Sequence, residues 1–212
     1  MKTTARTSFK IQTIDIIPLV LWVSVVIILR WFLHEVQADR FLRWTPEAFG
    51  KYFSLRWILV AHVLAGSVAI ISGIIQFWPK LRNYNWKLHR ALGFIYLLSI
   101  VLSGTSALIL AFTTAYEVNW ANAFTLQIWA SVWLGSTFIA YYAIARKKVN
   151  LHKQWMTRSY IVTMAFLISG IAYRIPYVQQ LGSYEELATV LFWMGWAVPL
   201  FVYEIIRSCK EI

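Results

Sequence analysis

The chain has 212 residues, of which 59% are hydrophobic and 17% aromatic, and its formal net charge is +11. This apolar content excludes an ordinary soluble domain of the same length. The charge does not indicate a nucleic-acid partner, because the cations form short clusters between apolar runs instead of covering one solvated face. The lone cysteine, Cys209, excludes an internal disulfide and a cysteine metal cluster. We therefore predict a single integral membrane domain over residues 1–212.

Six apolar runs meet or approach the length of about 20 residues that a helix needs to cross the hydrocarbon core. They cover approximately residues 16–33, 57–78, 88–112, 122–145, 158–176 and 187–206. No stretch alternates like a membrane barrel strand, and only helices and closed barrels satisfy their backbone hydrogen bonds in lipid. The predicted fold is therefore all-α, a polytopic membrane helical bundle with six transmembrane helices.

Most Lys and Arg residues lie in the two tails and in the loops that join span two to span three and span four to span five. Because cytoplasmic loops are enriched in these residues, we predict that both termini are cytoplasmic. The first external loop, from His34 to Arg56, is long enough for a short amphipathic helix on the outer surface, with Pro46 at its start.

Three histidines lie within or at the ends of the predicted spans, where an ionisable group calls for a partner or a role. His62 lies about a turn and a half below the outer surface, above a stripe of small residues that includes Gly66 and Gly73. His89 and His152 both lie at cytoplasmic span ends. These two could face each other at the same depth, and His62 is too distant to join them.

Two imidazoles at one depth can occupy both axial positions of a b-type haem or share a metal ion. We therefore predict His89 and His152 as iron ligands and His62 as the candidate ligand of a second, outer haem. Gly66 and Gly93 follow His62 and His89 at i+4 and would let a macrocycle approach the backbone. The remaining candidates around the cofactor are Tyr96 beside His89, Arg90, Lys153 or Arg158 for the propionates, and Trp155 and Met156 on the His152 face.

The same residues allow structural interpretations. His89 and His152 could be interfacial anchors, and His62 could form an interhelical hydrogen bond. Gly66 and Gly73 could serve close helix packing, and Met156 could be a core or lipid-facing residue. Arg158 projects about 120° from His152 on a helix, which favours a neighbouring helix, a propionate or a lipid headgroup as its partner.

Three motifs carry a family resemblance. A His precedes a Gly/Ala-rich face in an early span, followed by Leu88–Tyr96 (LHRALGFIY) and His152–Tyr160 (HKQWMTRSY). Together they resemble a bacterial family of predicted membrane proteins catalogued as domain of unknown function 2306, over roughly residues 57–176. Phe94 stands where that family commonly has Arg. The resemblance implies a protein of the bacterial cytoplasmic membrane and a set of positions, and it implies no reaction.

Two functions from different classes follow. The first is a haem b protein that exchanges electrons with a quinone. The second is a non-enzymatic membrane subunit or assembly factor that binds partner helices, a second copy, lipid headgroups or a transient metal. A transporter is less favoured, because we identify no acidic residue in the spans for proton or cation coupling.

Overall fold

The computed structural model describes residues 13–210, and within that range all regular structure is helical. Among these described residues, six long helices are apolar enough to cross a membrane, which confirms the predicted bundle. In chain order, the first to sixth spans are Thr13–Phe32, Arg56–Gln76, Trp86–Phe112, Trp120–Ala145, Val149–Tyr173 and Tyr184–Cys209.

Short helices occupy the connections between spans. After the first span, a π-helical turn (Leu33–Gln37) continues into the helix Ala38–Arg43, and the helix Pro46–Phe49 and the 3₁₀ turn Gly50–Tyr52 then lead to the second span. The later connections contain the helix Pro79–Tyr84 between the second and third spans, the 3₁₀ turn Thr114–Glu117 between the third and fourth, and the helix Pro176–Gln179 between the fifth and sixth. The predicted start at Pro46 is confirmed, since the Thr45 hydroxyl caps that helix by accepting from the Ala48 N–H at 3.3 Å.

The six spans alternate in direction, so Thr13 and Cys209 lie on one side of the bundle. We call this the terminal side; it includes the connections 77–85 and 146–148. The distal side holds the connections 33–55, 113–119 and 174–183. That the terminal side is cytoplasmic stays a prediction from the charge distribution.

The second to fifth spans form a four-helix ring. Each packs against the next in the chain, and the fifth closes the ring against the second, so the third and fifth spans occupy opposite corners. The first span packs outside the second and fifth, and the sixth packs outside the fourth and fifth. Cofactor sites in helical bundles form inside such a ring from side chains on facing helices.

The fifth span begins at Val149, nine residues before the predicted start of the apolar run at 158. Hydropathy placed the start too late because the polar residues of this first part are paired with other spans. His152 donates to the carbonyl of Ala140 on the fourth span, and Arg158 pairs with Glu204 on the sixth. A helix in lipid tolerates polar side chains that find such partners.

The small-residue stripe of the second span is a packing surface. A Cβ added at Gly73 would stand 2.6 Å from the Tyr160 ring and 2.7 Å from the Tyr96 ring, and one at Gly66 would stand 3.2 Å from the Ser103 hydroxyl. Gly73 therefore accommodates two tyrosine rings at the centre of the bundle, as close packing at small residues requires.

Candidate functional site

A cavity of about 510 Å³ lies inside the distal half of the bundle. All six spans contribute to its wall, which is mainly apolar and includes the aromatic side chains of Trp129, Trp133 and Phe166. The polar side chains in the wall include those of His62, Ser103 and Thr163. Both the volume and this mixture of many apolar and few polar groups are typical of small-molecule binding sites.

His62 is held in this wall by hydrogen bonds to Ser103 on the third span. The Ser103 hydroxyl donates to the His62 carbonyl at 2.8 Å, and His62 Nδ1 lies 3.0 Å from both the carbonyl oxygen and the hydroxyl oxygen of Ser103. A carbonyl can only accept, so Nδ1 carries the proton and Nε2 of the neutral ring keeps its lone pair. Within the described residues Nε2 has no hydrogen-bond partner. The predicted interhelical hydrogen bond is confirmed, and it leaves a free nitrogen acceptor on a cavity residue.

Phe166 organises the aromatic part of the wall. Its ring lies 6.1 Å from the His62 ring at 89°, 5.1 Å from that of Phe32 at 79°, and 6.5 Å from that of Trp129. The edge-to-face contact with Phe166 fixes the plane of the imidazole in addition to its hydrogen bond. The cavity therefore offers a rigid apolar surface beside an oriented nitrogen.

A layer of buried hydroxyls meets the cavity at Thr163. The Tyr96 hydroxyl lies 2.8 Å from Ser159 Oγ and 3.1 Å from Thr163 Oγ1, and Thr163 also accepts from the Trp133 indole N–H at 2.8 Å. Thr137 Oγ1 lies 2.7 Å from Ser159 Oγ. Tyr96, a candidate cofactor neighbour in the sequence, is fully buried and ties the third span to the fifth.

The terminal side holds His152 and His89. Nδ1 of His152 donates to the Ala140 carbonyl at 2.8 Å, so the lone pair remains on Nε2. The two histidines belong to the third and fifth spans, which occupy opposite corners of the ring. The sequence prediction that these residues share one end of the bundle is therefore matched, although the cavity reaches neither of them.

His89 has a different partner, the side-chain amide of Gln76. In the amide orientation that pairs every donor with an acceptor, Gln76 donates to His89 Nδ1 at 2.9 Å and accepts from the Gly93 N–H at 3.1 Å. Neutral His89 then carries its proton on Nε2. Gln76 also covers Gly93, the position at which the sequence predicted that a macrocycle could approach the backbone. In the described part of the chain no group of three or more His, Cys, Asp or Glu could hold a metal ion.

Arg158 forms a paired site that the sequence only half predicted. Its Nε and Nη2 donate to the two carboxylate oxygens of Glu204 at 2.6 and 2.9 Å, and the guanidinium lies 4.7 Å from the Trp155 ring and 5.5 Å from the Tyr203 ring. A neighbouring helix, one of the three partners predicted, is thus the partner of Arg158. Glu204 escaped the sequence analysis, although an acid within an apolar run at the depth of Arg158 was a usable signal. Its presence also corrects our statement that the spans lack acidic residues.

The remaining candidate residues from the sequence lie in the following places. Gly66 lines the cavity beside Ser103. Met156 is buried in the main core cluster, Trp155 is half-buried beneath Arg158, and Arg90 and Lys153 are exposed on the terminal side.

The sequence was compared with known protein families, curated proteins and solved structures. Residues 59–207 match the family described as Predicted membrane protein (DUF2306), which extends the resemblance seen in residues 57–176 to the sixth span and Glu204. No curated protein and no solved structure matches the chain. Because the match covers more than two thirds of the sequence, the chain belongs to the DUF2306 family of predicted membrane proteins.

Proposed function

We propose that this protein binds haem b in the distal cavity, with Nε2 of His62 as an axial ligand of the iron. The observation that carries the proposal is the hydrogen bond from Nδ1 to the Ser103 carbonyl. A ligating histidine commonly donates its other ring N–H to a carbonyl, which fixes both the tautomer and the ring plane. His62 has this arrangement and lines a cavity of suitable size.

The chemistry of the cavity suits a flat, largely apolar molecule. The wall combines aromatic and aliphatic side chains, and the small residues Gly66 and Gly170 lie in it. When bound, haem would supply one-electron transfer. The chain would contribute a ligand of fixed tautomer, an apolar enclosure and a neighbouring layer of satisfied hydroxyls. The predicted quinone partner remains part of this proposal, as does the bacterial cytoplasmic membrane as its location.

His89 and His152 are the second candidate haem site. The Nδ1–H of His152 is anchored to a carbonyl just as that of His62 is, and this observation favours the pair. His89 is less suitable, because the hydrogen bond from Gln76 places its proton on Nε2. The Gln76 amide would have to turn before both histidines could ligate one iron through Nε2.

Absorption spectra of histidine variants distinguish the two sites. The protein is purified in detergent from cells supplied with a haem precursor, alongside His62→Gly, His89→Ala and His152→Ala. We expect a Soret band that is lost in His62→Gly, retained in the other two variants, and restored to His62→Gly by added imidazole. Imidazole rescue separates loss of a ligand from loss of the fold.

The coordination number supplies an independent readout. Among the described residues that line the cavity, His62 is the one side chain with an imidazole, thiol or thioether. A haem held there would keep an open axial position, and its ferrous form would bind carbon monoxide. A haem held by both His89 and His152 would be six-coordinate and resist carbon monoxide.

Two results would redirect the interpretation. Loss of the Soret band only in His89→Ala and His152→Ala would assign the haem to the terminal side. No Soret band under any condition, including reconstitution with added haem, would overturn the cofactor proposal. The non-enzymatic subunit would then be the better hypothesis, and co-purification of a membrane partner its direct test.

A further inference from the structure

The distal end of the cavity is positively charged. Arg40, Lys51 and Arg174 all belong to its lining, and they come from the helix after the first span, the turn before the second span, and the end of the fifth span. None of the three forms an ion pair within the described residues. The lining contains one acid, Glu185, and a further acid, Glu117, acts on Tyr52 nearby. Cations therefore outnumber acids where the cavity meets the distal surface.

The contacts of these cations are with neutral groups. Arg40 donates to Gln37 Oε1 at 3.1 Å and lies 5.8 Å from the centre of the Tyr52 ring. Lys51 lies 5.7 Å from the same ring, and Arg174 lies 4.8 Å from the ring of Trp31. These contacts orient the cationic heads and leave their charges uncompensated. A partly buried cation beside an apolar cavity is favoured when an anion completes the site.

Tyr52 adds a neutral donor to the cluster. Burial raises the pKa of its phenol, although Arg40 opposes that shift. Its hydroxyl therefore stays protonated at neutral pH and can donate a hydrogen bond to an anion.

On the basis of the proposed function, we infer that Arg40, Lys51 and Arg174 bind the propionate carboxylates of the haem. The cofactor would lie with its anionic edge toward the distal surface and its apolar body beside Phe166 and Trp129. The propionate partners considered from the sequence do not serve this cavity: Arg90 and Lys153 lie on the terminal side, and Arg158 is paired with Glu204.

Haem b and its dimethyl ester provide the test, because esterification removes both negative charges of this edge and otherwise adds only two methyl groups. Both are titrated into the apoprotein in detergent and followed by Soret absorbance. We expect the wild type to bind haem b about tenfold or more tightly than the ester, as charge-assisted hydrogen bonds would give. In the variant Arg40→Gln/Arg174→Gln, which keeps Lys51, the ratio should fall several-fold toward one. Arg43→Gln is the matched control, since Arg43 is exposed and pairs with Asp39 at 2.6 Å.

Equal affinity of the wild type for both molecules would overturn the inference, while a Soret band that depends on His62 would leave the proposed function intact. Binding of neither molecule would overturn the proposed function itself. An unchanged preference for haem b in the double variant would also refute the role of Arg40 and Arg174. If the double variant does not fold, Lys51→Gln takes its place and should lower the preference.

Discussion

Replacing Glu204 by Gln is expected to lower the free energy of unfolding by about 2 to 3 kcal/mol. This value lies between the small stabilisation that an exposed ion pair contributes and the larger cost of removing one partner of a buried pair. The Arg158 side chain is only 11% exposed and the Glu204 side chain 39% exposed, which places the pair between these limits. Nη1 of Arg158 is already buried without a hydrogen bond among the described residues. Losing the carboxylate charge would leave the guanidinium with a weaker acceptor and the two aromatic rings.

A double-mutant cycle measures this coupling directly. The free energy of unfolding in mixed micelles is compared for the wild type, Glu204→Gln, Arg158→Met and the double variant, with the exposed Lys153→Met as control on the same helix. The double variant should be less destabilised than the sum of the single variants by about 2 kcal/mol, within the range for contacting residues. Additivity within about 0.5 kcal/mol would refute a stabilising role for the pair.

Three further outcomes follow from the packing and the topology. Gly73→Ala should destabilise the protein by about 1 to 3 kcal/mol in the same assay, because the added Cβ would overlap two tyrosine rings. Gly135→Ala is the control: a Cβ there meets nothing within 4 Å, so this variant should be neutral or stabilising. Equal effects of the two substitutions on stability would contradict the close approach of the rings to Gly73. Tyr96→Phe should cost about 1 kcal/mol through loss of the hydroxyl that joins Ser159 and Thr163, and the exposed Tyr141→Phe should cost little. An impermeant maleimide should label Leu42→Cys in a Cys209→Ser background on intact spheroplasts and should leave wild-type Cys209 unlabelled; the reverse result would invert the predicted orientation.

The fold could be predicted from the sequence because span number depends on the length and hydropathy of each segment alone. Features that depend on two segments were predicted less well. The stripe at Gly66 and Gly73 correctly indicated a close neighbour, but its identity, two tyrosine rings and a serine, was not deducible. The early start of the fifth span depends on partners in the fourth and sixth spans, which a hydropathy window over the fifth span does not contain.

The histidines illustrate the same limit. Their depths follow from helix rise, so the separation of His62 from His89 and His152 was predictable. Their tautomers depend on whether the group opposite Nδ1 is a carbonyl, as at Ser103 and Ala140, or an amide, as at Gln76. That distinction decides which Nε2 atoms can accept a metal ion, and it becomes visible only when the helices are packed.

Side-chain size explains why the cavity lies in the distal half. Toward the centre, the rings of Tyr96 and Tyr160 pack against Gly73 and fill the ring of spans, while the hydroxyl layer joins its corners. In the distal half, the residues that face the interior include Gly66 and Ser103, which leave the space. Gln76, the partner of His89, lies 14 residues after His62 on the same helix, about 21 Å along its axis. Two histidine levels are thus separated by a filled aromatic layer, and a ligand at His62 would be reached from the distal side, where the unpaired cations lie.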